Sequence, residues 1–394
     1  MPQSSLLQIF LIFLKLGCTS FGGPIAHLGF FRQEFVQKRR WLDDATYAEW
    51  VALCQFLPGP ASSQLGMAIG FGQARLSGAF AAWLGFTLPS ALMLMLLAYA
   101  VADGFNISPF VAGLKIIAVA VVAQALWGMS RSLVNGVAKL LLLTAAALIS
   151  IFVGSTISQL AMIIAAGLVG FLWLNASSPS AIDDRVLSQQ QAPAKTSLLT
   201  TSCGLLFLLL LAILPLVAAY STELMLFDSF YRAGALVFGG GHVVLPLLEA
   251  ELVSSGLVNK TDFVAAYGAA QAVPGPLFTI AGYLGVAAGG HAPLTNGLLA
   301  TIAIFLPGFL LVLAVLPWWQ QLRLYPGLQR AVGGINAAVV GILLAAWYDP
   351  VLTTAVVNWQ TAIAAILASA WLTYWRRPVW QLVLMALLLS PWLS

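Results

Sequence analysis

Residues 198–219 form an apolar run without a single charged side chain, and comparable runs recur along the whole chain. A stretch of roughly 18 or more apolar residues is long enough to cross the hydrocarbon core of a bilayer as a helix. In lipid every backbone N–H and C=O must be satisfied within the spanning structure, which leaves only helices and closed barrels. A barrel would show short segments of alternating polarity, which are not found here. Composition closes the argument: 61% of the 394 residues are hydrophobic and 8% are charged, against about 25% charged in soluble domains. The sequence therefore predicts an all-α polytopic membrane protein in contact with the lipid bilayer. The N-terminal run reads as part of the mature protein, because Lys15 interrupts it and no small-residue cleavage site follows. Cys18, Cys54 and Cys203 form no close pair, which argues against a disulfide framework and against a zinc site.

Two stretches of the chain superimpose. Residues 10–23 read FLIFLKLGCTSFGG and residues 227–240 read FDSFYRAGALVFGG, and both fit F-x-x-F-x-[KR]-x-G-x-x-x-F-G-G. The correspondence runs without a gap to Glu34 and Glu251. After a one-residue gap, QFLPGP at 55–60 pairs with QAVPGP at 271–276, Ser63 with Thr279, Gly66 with Gly282, and Pro89 with Pro307. Self-similarity this long marks an internal repeat. It divides the chain into an N-terminal repeat (1–175), a linker plus an unpaired apolar segment (176–221), and a C-terminal repeat (222–394). The linker is the polar stretch 175–197.

Lys and Arg concentrate on the cytoplasmic side of membrane proteins. Arg32, Lys38, Arg39 and Arg40 follow the first FGG, whereas the matching stretch 249–262 holds Lys260 among Glu249, Glu251 and Asp262. The two repeats are therefore predicted to be inverted, as in many transporters. Spans are expected at about 78–102, 108–130, 139–155, 157–174, 198–219, 294–317, 327–348, 351–374 and 378–393. If the FGG and PGP segments are re-entrant hairpins, Arg75, Arg131, Lys139, Arg323, Arg330, Arg376 and Arg377 fall inside, with Asp103 and Asp349 outside. A chain with about 13 full crossings places Arg131 and Lys139 outside, which fits the charge rule less well. Both topologies stay open at this level. The re-entrant one puts the N-terminus in the cytoplasm and the C-terminus outside.

The repeated motifs carry the chemistry. Pro58-Gly59-Pro60 and Pro274-Gly275-Pro276 cannot lie in a regular helix, since proline removes a donor and clashes with the preceding turn at about 3 kcal/mol or more. Broken backbone at membrane depth is tolerated only where protein buries it or where it lines a wet cavity. A second short helix then starts at about Ala61-Ser62-Ser63, and in the other repeat at Leu277-Phe278-Thr279. Free amides and the helix dipole make such starts attractive to anions. Ser62, Ser63 and Thr279 add hydroxyls, and Gln55 and Gln271 either donate amide hydrogens or brace the turn. Phe21-Gly22-Gly23 and Phe238-Gly239-Gly240-Gly241 serve either close helix packing or a turn whose amides face a ligand. Lys15 and Arg232 occupy one repeat position. A charge at the bilayer centre costs from about 2.5 kcal/mol upward, so its repetition points to a negative partner, with snorkelling to the interface as the alternative. His242 would titrate near neutral pH or be satisfied by packing, as would His27. Glu34 and Glu251 either carry coupling protons or form surface ion pairs. No H-E-x-x-H, G-x-S-x-G or G-x-x-x-x-G-K-[ST] pattern occurs. No catalytic residue, metal or cofactor is expected, and a gradient rather than bound ATP is the expected source of energy.

At these residues the sequence resembles the chromate ion transporter family. The resemblance rests on K-x-G-x-x-x-F-G-G-P at 15–24, E-F-V at 34–36, W-L at 41–42, QFLPGP at 55–60, LGFTLPS at 84–90, F-G-G-G-H at 238–242 and QAVPGP at 271–276. It is similar to the long, fused members of that family. The resemblance implies an inner-membrane transporter that exports chromate and confers resistance, with sulfate as the natural competitor. Uptake of sulfate or another anion is the alternative. An intramembrane enzyme or an assembly protein is the alternative of another class. Association as a homodimer is left open.

Overall fold

The computed structural model describes residues 5–21, 23–105, 108–153, 156–174, 198–238, 243–290, 292–322, 324–375 and 377–393. Among these there is no strand. The first repeat contains α1 (Leu6–Thr19), α2 (Gly23–Phe31), α3 (Asp44–Phe56), α4 (Ala61–Ala102), α5 (Ser108–Leu133), α6 (Val137–Phe152) and α7 (Thr156–Trp173). The unpaired segment is α8 (Leu198–Val217). The second repeat contains α9 (Thr222–Leu236), α10 (Val244–Leu252), α11 (Lys260–Ala272), α12 (Ile280–Ala287), α13 (Pro293–Val315), α14 (Pro326–Ala346), α15 (Trp359–Thr373) and α16 (Val379–Leu393). The chain is thus a multi-pass helical membrane protein, and five of its helices are long and apolar enough to cross a membrane. The linker, 175–197, lies outside the described residues.

The two repeats run through the same order of elements, and local chemistry sets the same boundaries in both. Asp43 starts α3 by accepting a hydrogen bond from the Thr46 amide, and Asn259 starts α11 by accepting one from Asp262. Both helices stop where the Pro-Gly-Pro segment begins. The long α4 is broken at Ala74 and Arg75, the latter with φ of 52°, so residues 61–73 form one arm and 76–102 another. These arms correspond to α12 and α13, which are separated at Gly289 and Gly290, both at positive φ. The span expected at 351–374 is cut short. The turn at Trp347–Leu352 is non-helical at Asp349, and Asn358 and Thr361 form a capping box that starts α15 at Trp359.

α3 and the first arm of α4 pair as an antiparallel hairpin. Trp50 lies against Gly72, where a Cβ would come within 3.1 Å of its ring. Leu53 and Leu57 pack on Ala68, and the Gln64 side-chain amide donates to the Pro58 carbonyl at 2.8 Å. α3 has 13 residues, a length of about 20 Å, against a hydrocarbon core of roughly 30 Å.

Small residues set the helix crossings, as expected where lipid supplies no hydrophobic drive between helices. α1 crosses the second arm of α4 with Gly17 on the Phe86 carbonyl and Gly85 on the Phe10 carbonyl. α9 crosses α13 in the same way, with Gly234 on the Ile304 carbonyl. The two repeats are interlocked. α5 packs against α11, α15 and α16 of the second repeat, while its counterpart α14 packs against α6 and α7 of the first. Gly113 donates to Ser390 Oγ at 2.9 Å, Gly268 sits on Leu114, and Gly334 and Gly341 sit on Ala166 and Leu143. One apolar core accordingly draws residues from both repeats.

Candidate functional site

The Pro-Gly-Pro tips meet the glycine breaks of the opposite repeat. The Gly59 amide donates to the Val237 carbonyl at 2.7 Å, and the Gly275 amide donates to the Ser20 carbonyl at 3.0 Å. Val237 and Ser20 are equivalent positions, each preceding the motif phenylalanine. The tips are held alike on their other side. A Cβ on Gly59 would lie 3.3 Å from Gly308 Cα, and one on Gly275 would lie 2.7 Å from Ser90 Oγ. Gly308 and Ser90 follow Pro307 and Pro89, again as equivalents. Gly59 has φ of 122° and Gly275 has φ of 107°, conformations that L side chains rarely adopt. Each tip is therefore a glycine by necessity, inserted between the broken helix and the proline-bearing helix of the other repeat.

Polar groups gather at the first junction, that of Ser20 with the Gly275 tip. His27 is fully buried, with Nε2 3.1 Å from the Ser20 carbonyl and Nδ1 3.3 Å from Ser62 Oγ. Nε2 is therefore the donor, and Nδ1 accepts from the Ser62 hydroxyl. Ser62 and Ser63 lie in the first turn of α4, and both are buried. Pro60 caps that helix with no side-chain hydrogen bond, so the amides of Ala61, Ser62 and Ser63 keep the free donors of a helix start. Ser20 Oγ, Ser63 Oγ and Thr87 Oγ1 are buried and find no hydrogen-bond partner among the described residues. Gln271, one turn before the second tip, has its side-chain Nε2 buried with no hydrogen-bond partner among the described residues.

The other sequence-predicted residues separate from this cluster to different degrees. Gly23 opens α2 at φ of 78°, and Phe21 is half-buried in the break before it. Pro58 and Pro60 flank the first tip, and Pro274 and Pro276 the second. Gln55 is exposed, unlike its equivalent Gln271. Thr279 is buried, but its hydroxyl donates to the Pro276 carbonyl at 2.7 Å. Gly22, Gly239, Gly240, Gly241 and His242 lie outside the described residues.

Lys15 and Arg232 share a repeat position but not an environment. Arg232 is clamped by Asp228 at 2.8 Å and by Glu251 at 3.0 Å, with Asp228 almost wholly buried. In the first repeat Leu11 stands where Asp228 does. Glu34, the counterpart of Glu251, pairs instead with Arg39 at 2.7 Å and Lys38 at 3.5 Å. Burial raises the Glu34 carboxyl, but the hydrogen bond and charge of Arg39, with Lys38, outweigh it and hold the group below its usual range. Lys15 is exposed and makes no ion pair among the described residues. Ser20, Gln64 and Thr87 were not singled out by the sequence. Their signal was a difference between the repeats, since apolar residues hold the matching positions of the second. Two cavities, of about 270 and 250 Å³, lie elsewhere. Ala314, Trp318 and Tyr325 help line one, and Leu97, Phe110 and Tyr283 the other. Both are lined mainly by apolar surface, which suits no ion.

The same motifs carry the match to known proteins. The profile of the chromate transporter family fits residues 7–171 and fits again at residues 224–390. The chain belongs to the chromate transporter family. It is 28% identical over 380 residues to the chromate transport protein of Cupriavidus metallidurans, covering 95% of this chain and 90% of that protein. It is 29% identical over 360 residues to a probable chromate transport protein of Synechococcus elongatus, covering 88% and 84%. An uncharacterized transporter of Methanocaldococcus jannaschii is 27% identical over 391 residues, covering 98% and 94%. No solved structure matches the chain. The family membership thus falls on both repeats, and both Pro-Gly-Pro tips lie within the matched regions.

Proposed function

We propose that this member of the chromate transporter family is a secondary transporter that carries chromate out of the cytoplasm across the inner membrane, with sulfate competing for the same site. One observation carries the reading. At the first tip an uncapped helix start is buried together with Ser20 and Ser63 hydroxyls that have no partner among the described residues. Unsatisfied buried donors are costly, and a tetrahedral oxyanion is the ligand that would satisfy several at once. The family relationship supports chromate as that oxyanion. An inside-negative potential is worth about 2.3 kcal/mol per charge per 100 mV, hence about 4.6 kcal/mol for a dianion, so outward movement needs little further coupling. In this reading the hairpins enter the bilayer from opposite sides without crossing it, and α8 inverts the second repeat.

Energised everted vesicles should accumulate radiolabelled chromate, and excess sulfate should reduce the uptake. Accumulation confined to right-side-out vesicles would reverse the direction, and none in either would reject the reading. Lys15 supplies a positive charge uncommitted to any carboxylate among the described residues, and it stands one turn before the Ser20 break. Lys15→Ala is expected to reduce export about tenfold, within the range for losing a hydrogen bond to a charged group, while leaving the amount of folded protein in the membrane unchanged. Unimpaired export by this variant would assign the lysine to the membrane surface. Cysteines placed at residues 39 and 260 should be labelled from opposite sides. Labelling from one side would reject inversion.

A further inference from the structure

The two repeats hold their tips in the same way, so the side chains at matched positions can be compared directly. Around the first junction stand Ser20, His27, Ser62 and Thr87, all buried, whereas Gln64 lies against Gly59 and Gly308 with its Nε2 committed to the Pro58 carbonyl. At the equivalent positions the second repeat has Val237, Val244, Phe278 and Phe305, also all buried. Every polar group of the first set has become apolar in the second. A single hydroxyl pair survives, Ser63 and Thr279, and the two are used differently. Ser63 Oγ has no partner among the described residues, whereas Thr279 Oγ1 donates to the Pro276 carbonyl.

The backbone differs in the same sense. After Pro60 the chain enters an α-helix directly, and the first amide to close a turn is Gln64, on the Pro60 carbonyl. After Pro276 it enters a 3₁₀ turn, in which Thr279 already donates to the Pro276 carbonyl at 3.1 Å. The tighter turn engages an amide that its α-helical counterpart leaves free. Gln271 fits the same pattern. It belongs to the second repeat by sequence, but it precedes the tip that Ser20 holds at the first junction, and its Nε2 is buried without a partner among the described residues. Its equivalent Gln55 is exposed.

We infer that each chain holds one oxyanion, at the junction of Ser20, His27 and the start of α4, and that the second junction is a dry seal that binds none. A dianion brought among Val237, Val244, Phe278 and Phe305 would lose its hydration with nothing among these described side chains to replace it. This rests on the transporter reading above and adds to it a stoichiometry and a location.

The test is equilibrium dialysis of the purified full-length protein in detergent against radiolabelled chromate and, separately, sulfate. One anion per chain is expected. Ser63→Ala should weaken binding about tenfold, the range for losing a hydrogen bond to a charged group. Ser63→Thr, which keeps the hydroxyl, should largely restore it, and Thr279→Val should leave it within about twofold of wild type. Two anions per chain, or equal losses from Ser63→Ala and Thr279→Val, would overturn the single site while leaving transport itself standing. Absence of binding from a protein that also fails to export would overturn both.

Discussion

Gly275→Ala is expected to lower chromate export by about tenfold or more, without removing the protein from the membrane. Two effects act together. The residue sits at φ of 107°, where a side chain costs about 1–3 kcal/mol. The new Cβ would also lie 2.7 Å from Ser90 Oγ, so the tip must withdraw from the first junction. Withdrawal breaks the hydrogen bond to the Ser20 carbonyl and moves Gln271 with it. Initial rates in everted vesicles, normalised to the amount of monodisperse protein in detergent, measure the effect. Wild-type rates would show that the tip does not form the site. The second repeat supplies a control, because glycine stands at position 308 where the first has Ser90. Adding Ser90→Gly to Gly275→Ala removes the contact but not the backbone strain, so partial recovery is expected. Gly59→Ala should act less strongly. Its closest clash, at 2.8 Å, is with the Gln64 side-chain amide, which can shift.

Arg232→Ala is expected to act on stability rather than on transport. The guanidinium holds Asp228, whose side chain is 3% exposed, and Glu251, whose side chain is 10% exposed. Removing one partner of a buried ion pair costs about 3–5 kcal/mol, because the remaining charge is left buried. Asp228 is already short of partners, with Oδ1 buried and unpaired. The variant should unfold at a lower temperature in detergent and accumulate poorly. Adding Asp228→Leu, the residue at the matching position of the first repeat, should recover much of the loss. A thermally stable Arg232→Ala protein that cannot export would return Arg232 to the binding site. The contrast with Lys15 is the point of the pair: one repeat position holds a structural cation in the second repeat and an uncommitted one in the first.

Much of this was legible in the residues. The repeat, the helix breaks at both Pro-Gly-Pro segments and the start of α4 at Ala61 all follow from strong local chemistry, since proline and glycine act on their own turn. The break at Ala74 and Arg75 carries no such signal, because neither residue is a helix breaker and tertiary packing imposes the bend. The i, i+4 spacing of Asp228 and Arg232 was visible, and it marks an ion pair. The first repeat has Leu11 at the matching position, so the repeat itself carries no sign of the pair. The exchange of tips between repeats could not be read at all. It depends on contacts between residues about half the chain apart, such as Gly59 with Val237 and Gly275 with Ser20. His27 illustrates the limit well. As a lone histidine it had no distinguishing mark, and only the fold places it between the Ser20 carbonyl and the Ser62 hydroxyl.

The exchange of α5 and α14 bears on how such a molecule can move. Because each completes the other repeat, neither repeat can swing as a unit against its twin. Moving parts must instead be assembled from both ends of the chain. One is the group of α1, α4, α9 and α13 that grips the two tips. The others are the sheaths of α5 with α11, α15 and α16, and of α14 with α6 and α7. The bends at Arg75 and at Gly289-Gly290 lie where each tip-bearing arm joins its long helix, and they are the natural pivots between each tip and the grip.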